Sequence, residues 1–191
     1  MLFTILEIPI PDIMKIILIG NIGVGKTTIA RKLLEKYKEA DFVSIDEMRR
    51  RYGDGSTEKE NYCKERFIKA IDFKAKIQVI ELTGVGVLGE RLFELLSIYQ
   101  YPILVFHLIV PIDKLLKRVK KKVWDIPFPI GKDNIPVAIR YTEDRYNEGL
   151  IYSLVKKCPN STLVSLSNDR KIAINENLRV ILGRMQYLLK K

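Results

Sequence analysis

Histidine and cysteine are nearly absent from this 191-residue chain. It holds one histidine, His107, and two cysteines, Cys63 and Cys158, far apart. A zinc site needs Cys and His clustered at short spacings, and a disulfide scaffold needs dense cysteine. Neither fits these counts, and the pattern suits a reducing, cytoplasmic setting. Long apolar runs are missing too. The longest, residues 101–112, is broken by Pro102, His107 and Pro111. It is too short to span a bilayer, so no membrane role is expected. Residues 1–13 lack the basic start and long apolar core of a signal peptide, and Pro9 and Pro11 spoil them as a helix. They read as a peripheral extension, with an edge strand open to them. There are no repeats, no low-complexity tracts and no linker long enough to divide residues 14–191, which read as one domain.

What is present is apolar and basic. Hydrophobic residues make up 47% of the chain, enough for a packed core rather than a disordered chain. Lysine and arginine number 33 against 23 acids, a formal net charge of +10. Such a balance either serves solubility or attracts polyanions, so a nucleic-acid partner stays open.

The most informative stretch follows a short apolar run at residues 15–19. Gly20, Asn21, Ile22, Gly23, Val24, Gly25, Lys26 and Thr27, with Thr28 next, match G-x-x-x-x-G-K-[ST] at every fixed position. The glycines reach backbone angles closed to other residues, so successive N–H groups can converge on a phosphate. Lys26, expected to be open to ligand rather than packed, adds a positive charge, and Thr27 offers a hydroxyl to Mg2+. A helix from Thr27 to about Tyr37 points the positive end of its dipole at the same place. This pattern predicts nucleoside triphosphate binding.

Along the rest of the chain apolar runs alternate with amphipathic segments. Residues 42–45 read as a second strand delivering Asp46 at its end, followed by a polar stretch at 47–55. Thr57 and Glu60 have the spacing of a capping box that opens a helix to about residue 75. A third strand at 77–82 carries Glu81. A helix at about 89–99 leads to the most apolar strand, 103–110, whose unbroken hydrophobicity suits burial on both faces. After Pro111 comes a helix bearing Lys114, Lys117, Arg118, Lys120, Lys121 and Lys122. Residues 124–139 read as an irregular excursion. A helix at about 142–156, a strand at 162–166 and a helix at about 172–189 close the chain. The alternation predicts an α/β, three-layer fold: a five-stranded parallel sheet with helices on both faces, plus a lid at about 118–142. Ligands of such sheets sit beyond the strands' C-terminal ends, where Asp46 and Glu81 are expected beside the phosphate loop.

Phosphate-loop proteins are mainly switches, motors or kinases. Glu81-Leu82-Thr83-Gly84 looks like a switch motif with Glu for Asp, but no guanine-reading N-K-x-D follows; Ser167-Asn168-Asp169-Arg170 is a faint echo. No strand ends in the adjacent acids of a motor ATPase. A kinase needs a carboxylate near the acceptor hydroxyl and cations around the moving phosphoryl group. Asp46, twenty residues beyond Lys26 and three before Arg49, meets the first need. This I-D-x-x-R arrangement resembles small P-loop kinases such as shikimate and gluconate kinases, and more closely the kinase domain of bacteriophage-type polynucleotide kinases. The resemblance covers roughly residues 14–146. Leu115-Leu116-Lys117-Arg118 with Lys122 resembles their lid helix, and residues 134–139 the return from the lid.

The resemblance implies ATP and Mg2+ as cofactors and a hydroxyl-bearing acceptor: a small metabolite, a nucleoside or nucleotide, or a polynucleotide end. It implies catalytic roles for Lys26, Asp46, Arg118 and Lys122. Asp46, Arg49 and Arg140 would bind substrate, and Thr27 with Glu81 would hold the metal. Two positions depart from it. Lys122 stands where arginine is usual and cannot make the same planar fork on phosphate. Glu81 replaces Asp, with a longer reach to the metal shell. Plainer roles stay open: Asp46 as a helix cap, Arg50 and Arg51 as a solvated face, Trp124 packing the lid hinge, His107 in the core. A nucleotide-dependent switch or nucleic-acid-binding NTPase without an acceptor is the alternative.

Overall fold

The computed structural model describes residues 13–170 and 172–188. The expected extension falls almost wholly on residues 1–12, outside the described residues. The elements run β1 (Met14–Gly20), α1 (Lys26–Lys36), β2 (Asp41–Ser44), α2 (Ile45–Tyr52), α3 (Thr57–Lys69), β3 (Ile77–Leu82), α4 (Val87–Leu96) and β4 (Ile103–Ile109). Then follow α5 (Ile112–Lys120), a 3-10 turn (Lys132–Asn134), α6 (Ile135–Asn147), α7 (Leu150–Val155), β5 (Ser161–Ser167) and α8 (Ala173–Leu188).

The strands form one parallel sheet in the order β2-β3-β1-β4-β5. All seven residues of β1, the central strand, are buried. Their alternation feeds two cores. Ile17 and Ile19 pack with α2, α3, α4 and α7, through Met48, Phe67, Phe93 and Leu154. Ile16 and Leu18 pack on the other face with α1, α5, α6 and α8, through Ile29, Leu115, Ile139 and Ile181. This is the three-layer fold expected, and it explains why a strand buried on both faces reads as a continuous apolar run. From β1 the chain crosses to β2 on one side, and from β3 it returns to β4 on the other. Such a reversal opens a crevice beyond the C-terminal end of β1, where the glycine-rich loop lies.

Several local expectations are corrected. The polar stretch after β2 is mostly helix. Ser44 caps α2 by accepting the Asp46 N–H at 3.2 Å, so Asp46 sits in the first helical turn and is not the cap. Ser56, not Thr57, caps α3, accepting from the Lys59 N–H, which frees the Glu60 carboxylate for a distant partner. That helix ends at Lys69 rather than near residue 75. The excursion is shorter than residues 124–139, because Pro136 lies in the first turn of α6, where its missing N–H costs nothing. The expected helix at 142–156 is two, divided at Gly149, whose φ of 85° is left-handed. Among the described residues no helix is long and apolar enough to cross a membrane.

Candidate active site

At the end of β1 the loop turns through Gly23 and Gly25, with φ of 80° and 101°. A Cβ on Gly25 would stand 2.6 Å from the Asn168 side-chain nitrogen, so only glycine fits there. Asn168, buried after β5, donates to the Val24 carbonyl at 2.6 Å, and its own carbonyl accepts from Arg118 at 2.9 Å. On the other side Asn21 accepts from the Ile22 N–H at 2.8 Å and donates to the Ile139 carbonyl at 2.8 Å. The loop is thus braced from β5, α5 and α6.

Lys26 is buried, contrary to the expectation of an open side chain. Its ammonium donates to the Gly20 carbonyl at 2.9 Å and the Asn21 carbonyl at 3.1 Å. Burial pushes its pKa down, while the Glu81 and Asp46 carboxylates oppose that shift. The Thr27 hydroxyl donates to Glu81 Oε1 at 2.8 Å. Glu81 is 3% exposed, and its Oε2 has no hydrogen-bond partner among the described residues. Burial raises its pKa above the ordinary carboxylate value, opposed by Lys26 and the Thr27 hydrogen bond. A buried carboxylate oxygen without a partner, beside a hydroxyl, is a costly arrangement in the free protein. It supplies the hard oxygen donors that Mg2+ takes.

A cavity of about 520 Å³ opens from this loop. It is walled by Lys26, Thr27, Thr28 and Glu81 at one end, and by Asp46, Arg49, Glu60 and Lys64 at the other. Trp124, Phe128, Pro129 and Ile130 of the excursion, with Ala138 and Tyr141 of α6, form a further side. Arg49 is the hub of the far end. Its Nε and one terminal nitrogen grip Glu60 at 2.8 and 2.6 Å, and the other terminal nitrogen meets Asp46 Oδ1 at 3.0 Å. The excursion rests on this hub. Phe128 lies 5.0 Å from the guanidinium, Asp125 pairs with Arg50 at 3.0 Å, and Trp124 meets Phe128 edge to face at 5.5 Å.

Most of the predicted site residues come together here. Ile22, Gly23, Gly25, Lys26, Thr27, Thr28, Asp46, Arg49, Glu81 and Lys122 line the cavity, with the Lys122 ammonium 4.5 Å above the Trp124 ring. Gly20, Asn21 and Val24 build the loop behind it. Two expectations land elsewhere. Arg118 is absent from the lining and bonds the Asn168 carbonyl; Arg140 is exposed on α6 and does not line the cavity either. Lys117 and Lys120 of α5, and Lys121 just after it, are exposed, and Lys114 pairs with Asp169 at 3.0 Å. His107 is partly buried, edge-on to Tyr146 at 4.8 Å, and burial lowers its pKa. Sequence reasoning missed Glu60, Lys64, Arg31 and Asn168. Asn168 had left a trace in the weak N-K-x-D echo, and Glu60 only as half of a capping box.

Three solved structures share this fold. Shikimate kinase from Acinetobacter baumannii, in complex with shikimate, aligns over 93% of this chain and 95% of its own, with a TM-score of 0.61 and 16% identity. A gluconokinase from Sinorhizobium meliloti 1021 covers 95% and 99%, with a TM-score of 0.58 and 13% identity. Shikimate kinase from Bacteroides thetaiotaomicron covers 91% and 98%, with a TM-score of 0.57 and 14% identity. No protein-family model and no curated protein matches the chain. At these identities the likeness is one of fold: the three structures share this chain's α/β architecture.

Proposed function

We propose that this chain, built on the fold that shikimate kinases and a gluconokinase share, is an ATP-dependent kinase that transfers the γ-phosphoryl group to a hydroxyl. The observation that carries this reading is a single cavity running from the braced phosphate loop to the Asp46 carboxylate. In this reading the backbone N–H groups of the loop and the N-terminus of α1 receive the β- and γ-phosphates. The Lys26 ammonium exchanges its two carbonyl partners for phosphate oxygens. Thr27 and Glu81 would hold Mg2+, which would supply positive charge beside the phosphates.

Asp46 orients the acceptor. Arg49 occupies Oδ1, which leaves Oδ2 to take the hydroxyl proton. The acceptor oxygen bonds to the γ-phosphorus as the bond to the bridging oxygen breaks, and that electron pair leaves with ADP. Lys122, on the cavity wall, adds positive charge around the moving group. Arg118 is a positioning residue: it reaches the loop through Asn168. The setting we assign is cytoplasmic, where ATP and reduced thiols coexist.

The test is transfer from ATP labelled at the γ-position, with Mg2+, to a panel of sugars, nucleosides, hydroxy acids and oligonucleotides. Label in an acceptor supports the reading. Label released only as inorganic phosphate, with GTP strongly preferred over ATP, would replace it with the switch.

A further inference from the structure

Resting on the kinase reading, we propose that the acceptor is an uncharged polyhydroxylated ring, and that Glu60 sets this selectivity by occupying Arg49. An anionic acceptor needs a cation free to receive it. At this end of the cavity Arg49, Arg50 and Lys64 already face carboxylates, while Lys122, over the Trp124 ring, is the cation assigned above to the moving phosphoryl group. Arg49 holds Glu60 through two nitrogens and Asp46 through the third. Lys64 lies 3.9 Å from Glu60, and Arg50 is paired with Asp125. The Arg49 pair is covered as well as matched: the side chains of Arg49 and Glu60 are 16% and 7% exposed, and Phe128 lies against the guanidinium. A second carboxylate arriving here would meet two carboxylates and no free fork.

What the wall does offer suits hydroxyl groups. Carboxylate oxygens keep spare lone pairs after one hydrogen bond, and hydroxyls are donors. The Asp46 and Glu60 oxygens that hold Arg49 can each accept again. On the same wall Phe128, against the Arg49 guanidinium, and Trp124, edge-on to it, add aromatic surface beside Pro129 and Ile130. Such aromatic edges pack against the C–H face of a sugar-like ring.

The experiment uses matched pairs that differ in charge: shikimate with its methyl ester, gluconate with sorbitol, and a nucleoside with its 5′-monophosphate. Binding is measured by calorimetry and transfer from labelled ATP, for the wild-type chain and for Glu60→Gln. Wild type is expected to favour neutral members at least tenfold. Glu60→Gln frees the guanidinium and should raise affinity for anionic members at least tenfold. The double variant Arg49→Met/Glu60→Met keeps a packed pair without charge. It should show no such gain, so the gain is traced to Arg49 rather than to a loosened site. Circular dichroism checks that each variant is folded. A wild-type preference for an anionic member overturns the proposal, and so does a folded Glu60→Gln chain with no gain for anions. Where wild type binds no member, the Glu60→Gln gain alone decides. If no acceptor is labelled while ATP still binds, the kinase reading fails separately, because charge selectivity is read from binding.

Discussion

The two ends of the cavity are finished differently. At the phosphate end, polar capacity is left over. Glu81 Oε2 is buried without a partner among the described residues, and Lys26 is held by backbone carbonyls it can exchange. At the other end Arg49 is satisfied by Glu60 and Asp46 and lies against Phe128. An unsatisfied buried group costs stability until a ligand completes it, so the first end is built to gain something. The second has already made its contacts, which is the ground for the charge selectivity proposed above. The cost of one end and the closure of the other come from the same physics.

The largest effect is expected where capacity is left over. Replacing Lys26 with Ala removes the charge that meets the phosphates, and transfer should fall by about 10³-fold, the upper range for one preorganised donor. ATP affinity by calorimetry should fall with it, while the circular dichroism spectrum is kept. Equal ATP affinity in both chains would erase the contrast between the ends.

Glu81→Gln should lower Mg2+-supported transfer by roughly 10²-fold, as loss of one electrostatic partner does. The apoprotein should gain stability, because a buried, half-unsatisfied charge is gone: about 1 kcal/mol, or roughly 2–4 °C in Tm. The sign with pH follows from the raised pKa. Stability from protonated Glu81 is fully present below the ordinary carboxylate range and is lost as pH rises through the raised folded value. Melting curves of the wild-type apoprotein should therefore show this loss, and the variant should lack it. A variant that melts lower than wild type at neutral pH would show that Glu81 is a structural brace instead.

A smaller effect is expected on α5, outside both ends. Lys120→Ala with Lys121→Ala should change ATP affinity and transfer to a small acceptor less than about twofold. If these lysines instead track a polynucleotide, log affinity for a single-stranded oligonucleotide will fall with log salt by about 0.7 per phosphate contacted. The double variant would then flatten that slope by about one unit. That outcome, with transfer to a 5′-hydroxyl end, would make the acceptor a polynucleotide.

The two ends also differ in how far they could be read from the chain. The phosphate loop is local: its glycines, Lys26 and Thr27 act through backbone a few residues long, so spacing alone identifies it. The sheet was equally legible, because strands buried on both faces must be apolar throughout. The acceptor end is assembled across turns. Glu60 reaches Arg49 over 11 residues, and Asp125 reaches Arg50 over 75. Glu60 was misread because Thr57 and Glu60 have capping-box spacing, while Ser56, one residue earlier, takes the cap. Pro136 was read as a breaker although the first turn of a helix tolerates it. Local chemistry was visible; pairings that close a wall were not.

Asp46 joins the two ends, so its replacement tests the shared-cavity reading most directly. Asp46→Asn keeps the shape and removes the carboxylate charge, while Ser44 still caps α2. Single-turnover transfer of labelled γ-phosphate to the best acceptor should fall by roughly 10²–10⁴-fold, the usual worth of a positioned acid–base group. ATP affinity should stay within about threefold. Transfer within about threefold of wild type would contradict a role for Asp46 in the chemistry and leave it as part of the Arg49 ion pair alone.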